Sequence, residues 1–498
     1  MSSPPLSPST PETGPTQSDS PAKTPKRNTS IAPMLRRLHF YAGILVAPFL
    51  VVATISGAMY AVAPTLENLT YRSYLQADTD GPAKPVAAQV EAAQRVLPDL
   101  TPTAVQPGID GHTTRVLFDD PSLGESLRQS VFIDPATAKS QGTLPVYGSS
   151  GALPTRTWID QLHRNLHLGE PGRIYSELAA SWLWVIALGG LALWVNRFRK
   201  QRRAGTDARL LTLNRSASTV TPGAKLKRTL DWHGVVGIWL AVGLVFLSAT
   251  GLTWSRFAGE NVSDMRSSLS WNSPSVNTEL TGGSPTAADG HEQHGGMAMP
   301  GETTMSSEVL STNISRIDDV LATARAAGLD GVVETSIPAD SATAFSVKQS
   351  RVPWVFSRDV VAIDGASNTV TDLSRFADWP FAAKLAEWGI QLHMGILFGI
   401  VSQLALLALC IALLTVIVRG YVMWWRRRPT GKANSDNGIR DSVGAPPASG
   451  AWRDASLWAI AGVVAVAALV GWFIPLLGIS LLTFLVVDAG ARAVKRLG

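Results

Sequence analysis

The chain has 498 residues, 46% of them hydrophobic, with a mean hydropathy of +0.13; it is too apolar for an ordinary soluble protein of this length. The formal net charge is +5, but Lys and Arg gather beside apolar stretches, a pattern of membrane topology rather than of a nucleic-acid surface. The single cysteine, Cys410, excludes an intrachain disulfide, a Cys-ligated iron–sulfur cluster and covalent cofactor attachment through C-x-x-C-H.

Residues 1–30 are rich in Ser, Pro and Thr, are expected to form a disordered cytoplasmic tail, and lack the apolar core of a signal peptide. A first membrane unit is expected over 31–63, with its apolar run at Phe40–Val62. An outside module over 64–157 follows. It carries an amphipathic helix pattern at Val86–Leu97, stopped by Pro98, then strand-like alternation at Thr114–Phe118 and Ser130–Asp134. The segment 158–200 is read as a second membrane helix with an outside extension, its apolar run at Ala179–Val195, and 201–232 as a cytoplasmic loop. A third span occupies 233–256, with its run at Val235–Trp254. A second outside module, 257–384, carries a helix at Ile317–Ala327 and strands at Val332–Ser336, Ala344–Lys348 and Val360–Asp364. The fourth span is 385–425, with its run at Ile396–Val418, followed by a cytoplasmic loop over 426–452. An apolar tract broken at Pro475 closes the chain as a helical hairpin over 453–490. The basic clusters at Arg36–Arg37, Arg197–Arg203 and Arg426–Arg428 place the N-terminus in the cytoplasm and both long loops outside.

Four histidines repeat in register. His39 precedes Gly57 by the same spacing as His233 precedes Gly251, and the match extends to the aromatics Tyr60 and Trp254. His163 and His393 stand at equal distances after the Asp of an Ile-Asp pair (Asp134, Asp364) and at equal distances before a tryptophan (Trp194, Trp424). This is an internal repeat with one histidine per apolar segment. Topology sorts the four into two layers. His39 with His233 falls at the cytoplasmic edge, and His163 with His393 at or beyond the outer surface. Each pair supplies two imidazoles, the donor set for a metal or for both axial positions of a haem, which without C-x-x-C-H is non-covalent b-type. Gly43 and Gly237, at i+4 from His39 and His233, fall on the same helix face, where a flat macrocycle needs a missing side chain. His167, at i+4 from His163, competes for the outer ligand position; the repeat aligns His163 with His393 and leaves His167 opposite Leu397.

The segments "VFIDPATAKSQGTL" and "VVAIDGASNTVTDL" resemble PepSY modules, and "LRRLHFYAGI", "IDQLHRNLHLGEPGR", "DWHGVVGIW" and "QLHMGILFG" resemble PepSY-associated transmembrane helices. The resemblance covers roughly residues 35–428 and is to iron-regulated PepSY membrane proteins, which include inner-membrane ferric-siderophore reductases binding two haems. It implies a bacterial cytoplasmic-membrane protein that carries electrons outward to ferric iron held by a siderophore. The fold class expected is a multi-pass α-helical membrane protein. Duplicated helix–module–helix units build a four-helix haem-binding core under two small α+β modules. No Walker A, dinucleotide fingerprint or H-E-x-x-H is present, so electrons are expected from a separate cytoplasmic reductase or from membrane quinol.

One loop, 283–306, has no counterpart in the first half. It brings together His291, His294, Met297, Met299 and Met305, an imidazole and thioether mix suited to copper. A cupric reductase or copper-handling protein is therefore an alternative, and a non-enzymatic PepSY protein that binds external peptides or proteases is another.

Overall fold

The computed structural model describes residues 32–206, 208–213, 222–280, 307–427 and 457–497. The first helical unit is two helices, α1 (Ala32–Leu45) and α2 (Ala47–Thr70), separated at Val46. Pro48 causes the break: it has no N–H to donate to the Ile44 carbonyl, and the Tyr421 hydroxyl donates to that oxygen instead, at 3.0 Å. A short helix α3 (Arg72–Leu75) leads to α4 (Val86–Val96), which ends where Pro98 disfavours helical backbone at the residue before it.

Four strands follow, β1 (Thr101–Gln106), β2 (Thr114–Asp119), β3 (Leu127–Ile133) and β4 (Ser140–Tyr147). Then come α5 (Pro154–Asn165) and the long α6 (Glu170–Arg203), α7 (Pro222–Leu252) and the short α8 (Ala258–Ser268). Helices α9 (Ser307–Ser315) and α10 (Ile317–Ala326) precede β5 (Val333–Ser336), β6 (Phe345–Gln349), β7 (Val360–Asp364) and β8 (Thr369–Ser374). The described chain ends with α11 (Phe381–His393), α12 (Ile400–Arg426), α13 (Leu457–Phe473) and α14 (Pro475–Leu497).

Helices α2, α6, α7 and α12 are long and apolar enough to cross a bilayer, so this is a membrane protein. They form a closed bundle in which α6 packs on α7, α7 on α12, and α12 on α2. Helices α13 and α14 are shorter apolar helices that double back at Pro475 so closely that Gly471 and Gly478 touch backbone to backbone. This hairpin leans on α6, where Trp182 Nε1 donates to Ser480 Oγ at 2.9 Å.

The two modules expected to be separate are joined. Their strands make one eight-stranded antiparallel sheet in the order β4-β3-β2-β1-β5-β6-β7-β8, sealed where Ala104 pairs with Ser336 and Val105 with Thr335. A four-stranded sheet alone would leave the edges of β1 and β5 unpaired, and each covers the other. One continuous core lies beneath, with Val90, Val105, Val116 and Phe118 from the first half and Ile317, Val320, Phe345 and Ile363 from the second. The hairpins β3–β4 and β7–β8 each turn on the aspartate of the Ile-Asp pair. Asp134 accepts from the backbone N–H groups of Thr79, Ala136 and Thr137, and Asp364 from Ala366 N–H and the Ser367 hydroxyl. Burial alone raises the Asp134 carboxyl, and the donated hydrogen bonds outweigh it, holding this group below the usual carboxylate range. The Ser367 hydroxyl and the Ala366 N–H likewise hold Asp364 low.

Candidate functional site

His163 lies beneath the sheet, at the end of α5. Helix α5 carries it down beside the bundle, and the chain then reverses over Leu166–Gly169 before α6 begins. Leu166, His167 and Gly169 all take positive φ there, and Gly169 adopts φ 63° with ψ −134°. Gly399 repeats that geometry ahead of α12, at φ 55° and ψ −130°, a region open in practice to glycine alone. Each reversal follows a histidine that is set against a spanning helix. His163 meets Ser56 and Gly57 of α2, and His393 meets Thr250 and Gly251 of α7. The stretch from His163 to Trp194 is thus a helix, a turn and a second helix rather than one straight rod reaching out of the membrane.

Hydrogen bonds orient three of the four rings through Nδ1. The Ser56 hydroxyl lies 2.9 Å from the Val52 carbonyl and 2.9 Å from His163 Nδ1. Thr250 repeats the arrangement, its hydroxyl 2.8 Å from the Phe246 carbonyl and 2.6 Å from His393 Nδ1. His233 Nδ1 faces the Val416 carbonyl at 3.0 Å, which can only accept, so Nδ1 carries the proton and Nε2 presents a bare lone pair. His39 differs: its Nδ1 is buried near the Ile186 carbonyl without reaching hydrogen-bond geometry.

Each ring also lies against a glycine of a facing helix. A Cβ at Gly57 would come within 3.2 Å of His163 Cε1, at Gly190 within 3.0 Å of His39, at Gly251 within 3.7 Å of His393, and at Gly420 within 3.8 Å of His233. These four are the close-approach glycines. Around Gly43 and Gly237 a Cβ would meet nothing within 4 Å, so neither packs against a helix and both leave open space.

His39 and His233 lie with centroids 6.4 Å apart and planes at 80°. One metal ion bridging two imidazoles spans that separation, given metal–nitrogen bonds of about 2 Å. His163 and His393 both line a cavity of about 1080 Å³ that also takes in Gly57, Gly251, Cys410 and Leu413. Tyr60 stacks near His163 with centroids at 6.5 Å, and Trp254 meets His393 edge-on at 5.4 Å. On α7 the helix rises about 27 Å from His233 to Gly251, which separates the two levels. His167 is exposed, stacked on Trp158 at 5.0 Å, and lies outside the cavity lining. His291, His294, Met297, Met299 and Met305 lie outside the described residues.

A family model described as the PepSY-associated TM region matches residues 36–427, most of the chain. The chain belongs to the PepSY-associated transmembrane family. No curated protein matches it.

The matched segment holds all four repeated histidines, their glycines and the whole sheet, and it leaves α13 and α14 outside. Two imidazoles at each level are the donor set that a b-type haem takes, and Gly43 and Gly237 leave open space one turn from His39 and His233. Among the described residues no three His, Cys, Asp or Glu gather as a metal cluster. Ser56 and Thr250 escape the sequence reading although the repeat marks them: each follows its half's first histidine at the same spacing. Gly190 and Gly420, equally spaced after the second histidine of each half, carry the same signal.

Proposed function

We propose that this protein is a di-haem b-type electron carrier of the bacterial cytoplasmic membrane that reduces ferric iron, presented as a siderophore chelate, on the outer side. The observation that carries this reading is the set of two histidine pairs at two levels of one four-helix bundle, three of the four rings held through Nδ1. Haem, when bound, supplies a one-electron couple whose potential the axial imidazoles help to set.

The protein's own part is positional. His39 and His233 hold the level away from the sheet, and His163 and His393 the level beneath it. Ser56, Thr250 and the Val416 carbonyl hold ring orientation through Nδ1 and leave Nε2 as the ligating atom. Bis-histidine ligation leaves no open position for oxygen, which suits transfer rather than oxygen chemistry. The basic clusters support an orientation with the sheet outward, in which a cytoplasmic reductase or quinol would donate at the His39–His233 level. The duplicated frame supports the same reading, because each half contributes one histidine to each level.

The test is haem per chain. Protein purified from haem-replete cells is expected to be red, with b-type absorbance and two haems per chain, and to reoxidise on adding a ferric chelate after reduction. Colourless protein would overturn the proposal.

A further inference from the structure

The cavity that holds His163 and His393 is larger than the space between them. From the histidines it runs outward past Tyr60 and Trp254 to the β2–β3 connection, where Asp119, Leu123, Glu125 and Arg128 line it, and to Ser149 and Ser150 ahead of α5. The second half has an equivalent connection, between β6 and β7, but it is fastened down. Arg351 and Arg358 both bind the buried carboxylate of Glu387 on α11, at 2.6 to 2.9 Å. Trp354 N–H donates to the Leu397 carbonyl at 2.8 Å, Trp388 Nε1 donates to the Phe356 carbonyl at 2.9 Å, and Pro353 covers Gly399. Among the described residues the β2–β3 connection shows no such fastening to the helices: the hydrogen bonds of Asp120–Glu125 stay local, from Ser122 to Asp120 and from Leu127 to Gly124.

We infer that the vestibule beneath the β2–β3 connection is the acceptor site, and that a ferric chelate with oxygen donors enters there and takes its electron on the His163 side. This rests on the function proposed above. Polar hydroxyls and charges of both signs line the vestibule, as a hydrated, oxygen-rich chelate requires, and apolar residues such as Leu50, Leu244 and Leu409 line the deeper part. The step moves one electron from the reduced protein to one ferric ion, which becomes ferrous; no proton moves and no covalent bond changes.

The experiment uses the full chain, haem-loaded and chemically reduced without air, with ferric citrate as the acceptor. Glu125→Cys and Trp354→Cys are each labelled with a bulky polyethylene-glycol maleimide, and wild type treated alike controls for Cys410. Haem content and reducibility are read before the acceptor is added. The label at position 125 is expected to slow reoxidation about tenfold, equivalent to ~1.4 kcal/mol of barrier. The label at 354, on the fastened side, is expected to leave the rate within about twofold, less than half of that energy. Equal slowing at both positions, or none at 125, overturns the inference while leaving the haem reading intact. Protein without haem fails at the earlier measurement and sinks the function instead.

Discussion

The two histidine levels are built from the same register but are finished differently. Beneath the sheet both rings meet, through Nδ1, hydroxyls that also reach the preceding turn of helix. At the other level one ring has a carbonyl partner, while the buried Nδ1 of the other has no hydrogen bond. The sheet-side level also borders a cavity, whereas the far level is a direct ring-to-ring approach. The difference teaches that matching sequence register sets where the histidines sit but leaves each level its own supporting groups. Histidine position follows helix register, and support follows from whatever the facing helix offers.

The comparison breaks most sharply if one level is removed. His393→Ala is expected to lose the sheet-side haem and His233→Ala the far one, each leaving roughly half of the bound haem, since each level is held by its own pair. Haem per chain decides it, and full retention in either variant would argue against the pairing. Thr250→Val is subtler, because it keeps shape and removes only the hydroxyl. It leaves His393 Nδ1 buried without a partner, at about 1–3 kcal/mol, and is expected to weaken sheet-side haem binding roughly 10–100-fold. Far-level haem should be unchanged in a haem titration of the same sample.

The glycines sharpen the contrast within the far level. Gly190→Ala puts a Cβ 3.0 Å from the His39 ring and should lower far-level haem occupancy, whereas Gly420→Ala, at 3.8 Å, is ordinary contact and should not. Optical spectra of the two variants side by side test this. The smallest effect concerns the sheet. Asp134 has a folded pKa below its unfolded value, so its contribution to stability is full above the unfolded value and fades as pH falls through the folded one. Asp134→Asn should therefore flatten the acid limb of a thermal-unfolding profile without altering the haem spectrum at neutral pH.

Much of the helical architecture is legible in the residues. The apolar runs mark the four spans, and Val86–Leu97 and Ile317–Ala327 mark α4 and α10, because helical burial writes a 3.6-residue period into the chain. The break at Val46 escapes that reading, although Pro48 lies within the first apolar run. The reversal over Leu166–Gly169 escapes the sequence reading. Positive φ at Leu166 and His167 is a cost that only the surrounding packing can impose, and neither residue type announces it. Spacing along one helix singles out Gly43 and Gly237, whereas the glycines that touch the rings sit on the helix opposite.

Sequence alone determined the ligand candidates, their register and the apolar segments that carry them, since those are properties of spacing along one chain. Only the tertiary structure decided that two rings meet at 6.4 Å, that His233 carries its proton on Nδ1, and that β1 and β5 fuse two modules into one sheet. The reason is that strand edges pair through backbone groups common to every residue, and a tautomer depends on an acceptor supplied by another helix. Neither leaves a local trace in the order of side chains.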